Sequence, residues 1–276
     1  GGRELSADSD LDLMVVYEAD GDQSAGDRPL GPEAWFVRFT QRLVTALSSP
    51  TEEGELYPVD MALRPSGSAG PIAVRLSRFK EYYDSGEAWT WERMALTRGR
   101  VVAHDRMRSE AEAALAEAVA RPVDAERIRA DARDMRLRLL RDKPAKSNWD
   151  LKLRPGGLIE IEFIAQAAQL AAREPVSPNT REALRGLAGR GVLPAADADV
   201  LGLICEDYAA LTQLMRAAHG GGFDPESASA PFAARLCAAL DVQDVDRLEQ
   251  HLNSRAAVVR GLFERHVGEL QPDATD

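Results

Sequence analysis

The sequence is short of cysteine: Cys205 and Cys237 are the two it has in 276 residues, they are not spaced as a Cys-x-x-Cys pair, and both sit in apolar, helix-forming surroundings. That excludes a disulfide scaffold and a thiolate zinc site, and leaves two buried, reduced thiols, as expected of a cytoplasmic protein. Histidine is scarce too; His104, His219, His251 and His266 show no metal-ligand spacing, which removes a zinc centre. No uninterrupted apolar run nears the ~20 residues that cross a bilayer, and no basic-then-apolar signal segment opens the chain. Neither a membrane nor a secretory route is expected. Positive charge is in deficit: 34 Lys and Arg against 45 Asp and Glu leave a formal charge of −11. An acidic surface repels a phosphate backbone over roughly a Debye length, so nucleic acid is not an expected partner. Internal repeats and low-complexity tracts are absent as well.

What remains is an ordinary globular composition, 45% apolar and 29% charged. The length exceeds the roughly 100–200 residues of one domain, so two units are expected. The chain opens Gly1-Gly2-Arg3-Glu4-Leu5 without an initiator Met and reads as a piece of a longer protein.

The apolar run Leu11–Tyr17 predicts a buried strand, closed by the Gly/Asp/Ser/Pro-rich loop 20–32. From Glu33 to Leu47 the residues Trp35, Phe36, Phe39, Leu43, Ala46 and Leu47 recur at three- and four-residue spacing, which predicts a helix laying one stripe on a sheet. Glu55–Leu63 predicts a second strand, with Tyr57, Val59 and Met61 on one face and Asp60 on the other, otherwise apolar, face beside Leu56 and Ala62. A short extended run, 72–75, and a helix-prone stretch, 77–102, broken near Gly86, complete an α+β unit. Beyond Met107 the chain is rich in Ala, Arg, Glu and Leu, which predicts a helical unit with breaks at 143–144, 155–157, 174–178 and 220–223. The expected division is 1–107 and 108–276. The charged faces of 110–119 and 125–141 read as solvated helix surface.

Chemistry concentrates at Ser9-Asp10-Leu11-Asp12. Residues two apart on a strand face the same way, so Asp10 and Asp12 project side by side. At a separation of ~4 Å and an effective dielectric near 20 two such anions repel by roughly 4 kcal/mol, which calls for a cation, a proton or a donor cluster between them. A hard divalent cation meets that need, since Mg²⁺ takes one or two carboxylates together with substrate phosphates. Asp60, on another strand, is a third carboxylate for such a site. Gly1 and Gly2 allow backbone N–H groups close to phosphate oxygens, and the Ser9 hydroxyl adds a donor. Arg64 either neutralises phosphate or pairs with a neighbouring carboxylate. Trp89 and Trp91, alternating in a helix-prone region, are expected in a core rather than stacked on adenine. Lys152, Glu160 and Glu162 flank a Gly-Gly turn at the start of an apolar helix; they either complement its dipole or reach the cleft.

Gly-Gly, a short spacer, Ser-Asp-x-Asp-Leu and a distant strand Asp resemble the nucleotidyltransferase superfamily that includes DNA polymerase beta. The likeness narrows downstream. Leu56-Tyr57-Pro58-Val59-Asp60-Met61-Ala62-Leu63-Arg64-Pro65-Ser66-Gly67, Glu87-Ala88-Trp89-Thr90-Trp91-Glu92, Ala95-Leu96-Thr97-Arg98-Gly99-Arg100 and Asp150-Leu151-Lys152 with Gly156-Gly157-Leu158-Ile159-Glu160-Ile161-Glu162-Phe163 resemble the bacterial glutamine synthetase adenylyltransferase family. Glu160 stands where that family usually has Asp, and the family's strand and turn ahead of the glycine pair are not in this sequence. The resemblance implies a polymerase-beta-like domain with a small mixed sheet, followed by an all-α domain. It further implies Mg²⁺-dependent transfer of AMP from ATP to a tyrosine of glutamine synthetase, with Asp10, Asp12 and Asp60 as metal ligands and Asp60 nearest to a general base. Gly1, Gly2, Ser9 and Arg64 would then lie on the nucleotide side, and the PII signal protein would be a second partner. The Arg-Pro-Ser-Gly loop and the Ala-Trp-Thr-Trp-Glu run resemble the half that adds AMP more than the half that removes it by phosphorolysis. A regulatory module that binds nucleotide without turnover is the reading from another class.

Overall fold

The structure, a computed structural model, describes residues 2–6, 9–52, 54, 57–102, 106–219 and 223–270. Its first part is a small sheet region with one long helix; the rest is helical. In chain order the elements are β1 (Leu11–Asp12), β2 (Val15–Tyr17), α1 (Pro32–Ser48), β3 (Val59–Asp60), β4 (Ala73–Arg75), α2 (Leu76–Ser85), α3 (Thr90–Leu96), α4 (Arg108–Ala120), α5 (Ala125–Asp142), α6 (Leu158–Ala172), α7 (Thr180–Gly189), α8 (Ala195–His219), α9 (Ala230–Ala239) and α10 (Val245–His266). β1 pairs with β3 and β2 with β4, both parallel, and an isolated antiparallel bridge joins Thr51 to Gly54.

Local sequence explains most boundaries. Pro32 opens α1, where a missing N–H costs nothing. Gly86 ends α2 at φ 85°, a left-handed conformation that suits glycine. Asp124, Asn179 and Asp244 cap α5, α7 and α10, each side chain accepting the N–H of the residue three positions on. α6 is apolar around most of its circumference and is accordingly the central helix, packed against α3, α4, α5, α7, α8 and α10. One continuous set of buried apolar side chains runs from Val74 in β4 to Val267 beyond α10, so α2 to α4 share a core with the later helices.

Four expectations are corrected. The first strand is interrupted at Leu13–Met14, and of its residues only Tyr17 is buried. The second shrinks to Val59–Asp60, with Glu55 and Leu56 outside the described residues, and Asp60 is exposed. α1 buries only Thr40 fully. Phe36 stacks on Tyr17 at 4.2 Å, but Trp35 and Phe39 stack on each other with 41% and 44% of their surface exposed. Trp89 and Trp91 are not core residues: they are 68% and 39% exposed, because the buried side of the short α3 is taken by Thr90, Arg93, Met94 and Leu96.

Candidate active site

β1 and β3 place Asp12 directly opposite Asp60 in a parallel register. At its two ends the pairing is closed by Leu11 N–H donating to the Pro58 carbonyl and Leu13 N–H to the Asp60 carbonyl, each at 2.8 Å. Register partners on neighbouring strands point to one face, so the two carboxylates share a side. Both residues are exposed, and Asp60 Oδ1 accepts the Ala62 N–H at 2.7 Å, which fixes its rotamer. Loss of hydration, and then the Asp60 charge, push the Asp12 carboxyl above its ordinary range, against Lys152 and Arg98, which pull it down. Burial is the larger of the two upward effects, and the facing Asp60 charge adds to it.

Asp10 lies exposed on the segment entering β1, two residues ahead of Asp12. Among the described residues no group of three or more His, Cys, Asp or Glu side chains is gathered closely enough to enclose a metal ion. The carboxylates that the strands bring together are the pair Asp12 and Asp60. Ser9 Oγ meets Ser6 Oγ at 2.7 Å and accepts from Arg216 Nη1 at 3.0 Å. Gly1 lies outside the described residues. Gly2 is buried, and a Cβ there would meet the Pro178 carbonyl oxygen at 2.4 Å. Arg64 donates to the carbonyls of Met61 at 2.6 Å and Gly70 at 3.2 Å, which folds the loop after β3 back on itself beside the carboxylates.

Three cations reach this region from outside the strands. Arg98, beyond the end of α3, pairs with Glu162 on α6 at 2.9 Å and with Glu4 at 3.3 Å; these carboxylates outweigh its burial and hold its guanidinium charged. Lys152 lies close enough to act on Asp12 and is itself exposed. Arg216 comes from α8. Nothing in the sequence marks Arg216, which lies far along the chain from the carboxylates, and Glu4 and Arg98 carry no pattern that ties one to the other.

Glu160 lies in the first turn of α6, as a helix-dipole partner would, and both Glu160 and Glu162 also have arginine partners. Glu160 is fully buried and accepts from Arg136 Nε at 2.8 Å and from Arg260 Nη2 at 2.6 Å. Arg136 in turn donates to the carbonyls of Leu153 and Arg154 at 3.0 Å, so this buried cluster pins the loop that presents Lys152. A recess of about 250 Å³ lies elsewhere, between loop 18–24 and the head of α1. The carboxylate pair itself stands on an open surface.

The family model described as glutamate-ammonia ligase adenylyltransferase matches residues 1–115, and the one described as GlnD PII-uridylyltransferase matches residues 125–267. Among curated proteins, the bifunctional glutamine synthetase adenylyltransferase/adenylyl-removing enzyme of Rhizobium meliloti is 43% identical over 273 residues, 96% of this chain and 28% of that protein. Enzymes of the same description are 42% identical in Mesorhizobium japonicum, over 96% of this chain and 27% of theirs, and 42% identical in Rhodopseudomonas palustris, over 97% and 28%. The chain thus spans a little over a quarter of the length of these relatives.

Proposed function

Because the chain belongs to the glutamine synthetase adenylyltransferase family, we propose that it transfers AMP from ATP to a tyrosine of glutamine synthetase and releases pyrophosphate, a nucleotidyl transfer that regulates nitrogen assimilation. The observation that carries the reading is the opposed pair Asp12 and Asp60. Two carboxylates on one face, one of them displaced upward by burial and then by the other's charge, fit a hard cation that takes one or two carboxylates and fills its remaining positions with phosphate and water. When bound, Mg²⁺ would offset charge on the phosphates and lower the pKa of the incoming hydroxyl.

The chain's own residues then divide the work. Asp12 and Asp60 hold the cation, with Asp10 joining from the segment ahead of β1. Asp60 is proposed, from the family resemblance, to take the tyrosine proton, and the Ala62 N–H bond to Oδ1 steadies its carboxylate. The tyrosine oxygen forms its bond to the α-phosphorus as the bond to the pyrophosphate oxygen breaks. Gly2 and Ser9 are proposed on the nucleotide side. Arg64 shapes the adjoining loop, and Lys152 and Arg98 supply positive charge near the phosphates. The transfer unit is residues 1–107 and the helical unit 108–276. The helical unit is the surface proposed to meet glutamine synthetase and the PII signal protein, in keeping with its match to the GlnD PII-uridylyltransferase model.

The relatives' description covers removal of AMP as well as addition. The loop Arg64-Pro65-Ser66-Gly67, which resembles the adding half, favours addition. Product analysis separates the directions: with ATP and unmodified glutamine synthetase, pyrophosphate is expected. ADP formed from AMP-bearing glutamine synthetase and phosphate, with no pyrophosphate in the forward assay, would assign the chain to removal.

A further inference from the structure

The segment that leads into β1 is held by the helical unit rather than by the sheet. The Gly2 carbonyl accepts from Asn179 Nδ2 at 3.0 Å, and Gly2 packs so closely on Pro178 that no side chain fits there. Glu4 accepts from the Thr180 N–H at 3.1 Å and from the Thr180 hydroxyl at 3.1 Å, at the first turn of α7. The Leu5 carbonyl accepts from Gln213 Nε2 at 2.8 Å, and Ser9 Oγ from Arg216 Nη1 at 3.0 Å, both on α8. Glu4 is the charged member of this set, and its other oxygen contact, Arg98 at 3.3 Å, also binds Glu162 of α6. β1 itself is two residues long and meets β3 over two register pairs. The segment ahead of so short a strand is fastened at Gly2, Glu4, Leu5 and Ser9, so the position of Asp10 and Asp12 depends on where it meets α7 and α8.

We propose that Glu4 is a positioning residue: by joining Thr180 of α7 to Arg98 and Glu162, it sets the placement of Asp10 and Asp12 against Asp60, and so makes the carboxylate pair depend on the helical unit. A group that holds a metal carboxylate in place acts on the geometry of the pair without touching substrate. The side-chain set around Glu4 is complementary: the positive end of α7 and one guanidinium face one carboxylate. Only the kinetic arm below rests on the proposed function.

The test uses Glu4→Gln, which keeps the shape and an acceptor for Thr180 but removes the charge that pairs with Arg98, and Thr180→Val, which removes one bond from the helical side. Hydrogen exchange is followed at the Leu11 and Leu13 amides, the β1 donors to Pro58 and Asp60. Both variants are expected to speed exchange there at least tenfold while the amides of β2 and of α10 are unchanged. In the kinetic arm, the Mg²⁺ concentration for half-maximal AMP transfer rises at least tenfold in Glu4→Gln, with the KM for glutamine synthetase unaltered, and Glu4→Asp recovers part of the loss. Exchange at Leu11 and Leu13 unchanged in both variants overturns the proposal, as does acceleration spread equally over all elements. If wild-type chain transfers no AMP, the functional reading fails, and the exchange result still decides the role of Glu4.

Discussion

Cys205 is 4% exposed, and burial, with the nearby charges of Glu4 and Glu162, pushes its thiol up to about 12. A thiol so placed stays protonated and unreactive. Native protein at pH 8 is therefore expected to take up no iodoacetamide at Cys205, while protein unfolded in urea is labelled within minutes; prompt labelling of native protein at this residue would show the site open. Gly156 gives a second residue-scale prediction. Its φ is 72°, and a Cβ there would lie 2.0 Å from the Ala256 carbonyl oxygen. Gly156→Ala is expected to lose more than the roughly 1–3 kcal/mol of an unfavourable backbone conformation, read as a drop in the urea midpoint. At this scale the sequence was a fair guide where a residue's type decides its fate, as for the two cysteines, which are buried and free. It failed for Trp89 and Trp91, whose apolar character predicted burial, because seven residues of helix have one inward side and smaller neighbours occupy it. Gly2 was assigned to phosphate contact from pattern alone; the structure adds a steric reason for glycine there, contact with Pro178.

Among the elements, α5 and α6 are tied by a charge cluster inside the core. Arg136 and Glu160 are both fully buried, and Arg260 adds a second guanidinium to the same carboxylate. Removing the carboxylate strands two positive charges, so Glu160→Gln is expected to cost about 3–5 kcal/mol in chemical denaturation. An effect below about 1 kcal/mol would mean that water reaches the cluster. The cap of α7 is simpler: Asn179 Oδ1 accepts the Glu182 N–H at 3.0 Å, and Asn179 also bonds the Gly2 carbonyl. Asn179→Ala should therefore lose more than the ~1 kcal/mol typical of a cap. Helices were well marked in the sequence, since period and capping residues act locally: 33–47, 110–119 and 125–141 each fall inside an observed helix. Strands were marked poorly. A run such as Leu11–Tyr17 promises one strand, but its pairing depends on partners far along the chain, and the structure splits it between β3 and β4. Arg136 was hidden for the same reason. In a helix carrying many arginines, only the position of Glu160 on another element tells which one turns inward.

For the whole molecule, the change of character near Met107 is a change of element type within one buried core that continues from β4 to α10. Units that share a core unfold together, so a single cooperative transition is expected by circular dichroism and by tryptophan fluorescence alike, with coincident midpoints. Separate midpoints would show that the two parts are stabilised independently. Among the described residues no helix is long and apolar enough to cross a membrane. The carboxylate pair was legible as Asp-x-Asp with a distant Asp, because spacing on a strand fixes direction. Its dependence on α7 and α8 was not, since those contacts join residues at opposite ends of the chain.

Asp12 and Asp60 are proposed to hold the cation that the proposed AMP transfer requires. The most direct test incubates the chain with unmodified glutamine synthetase, α-labelled ATP and Mg²⁺, beside Asp12→Asn, and follows label on the synthetase. Asp12 is exposed, so the variant should fold. The account predicts label with the wild type and a loss of at least a thousandfold in the variant, about 4 kcal/mol of transition-state stabilisation at roughly 1.4 kcal/mol per tenfold. Equal labelling by the two proteins would contradict it.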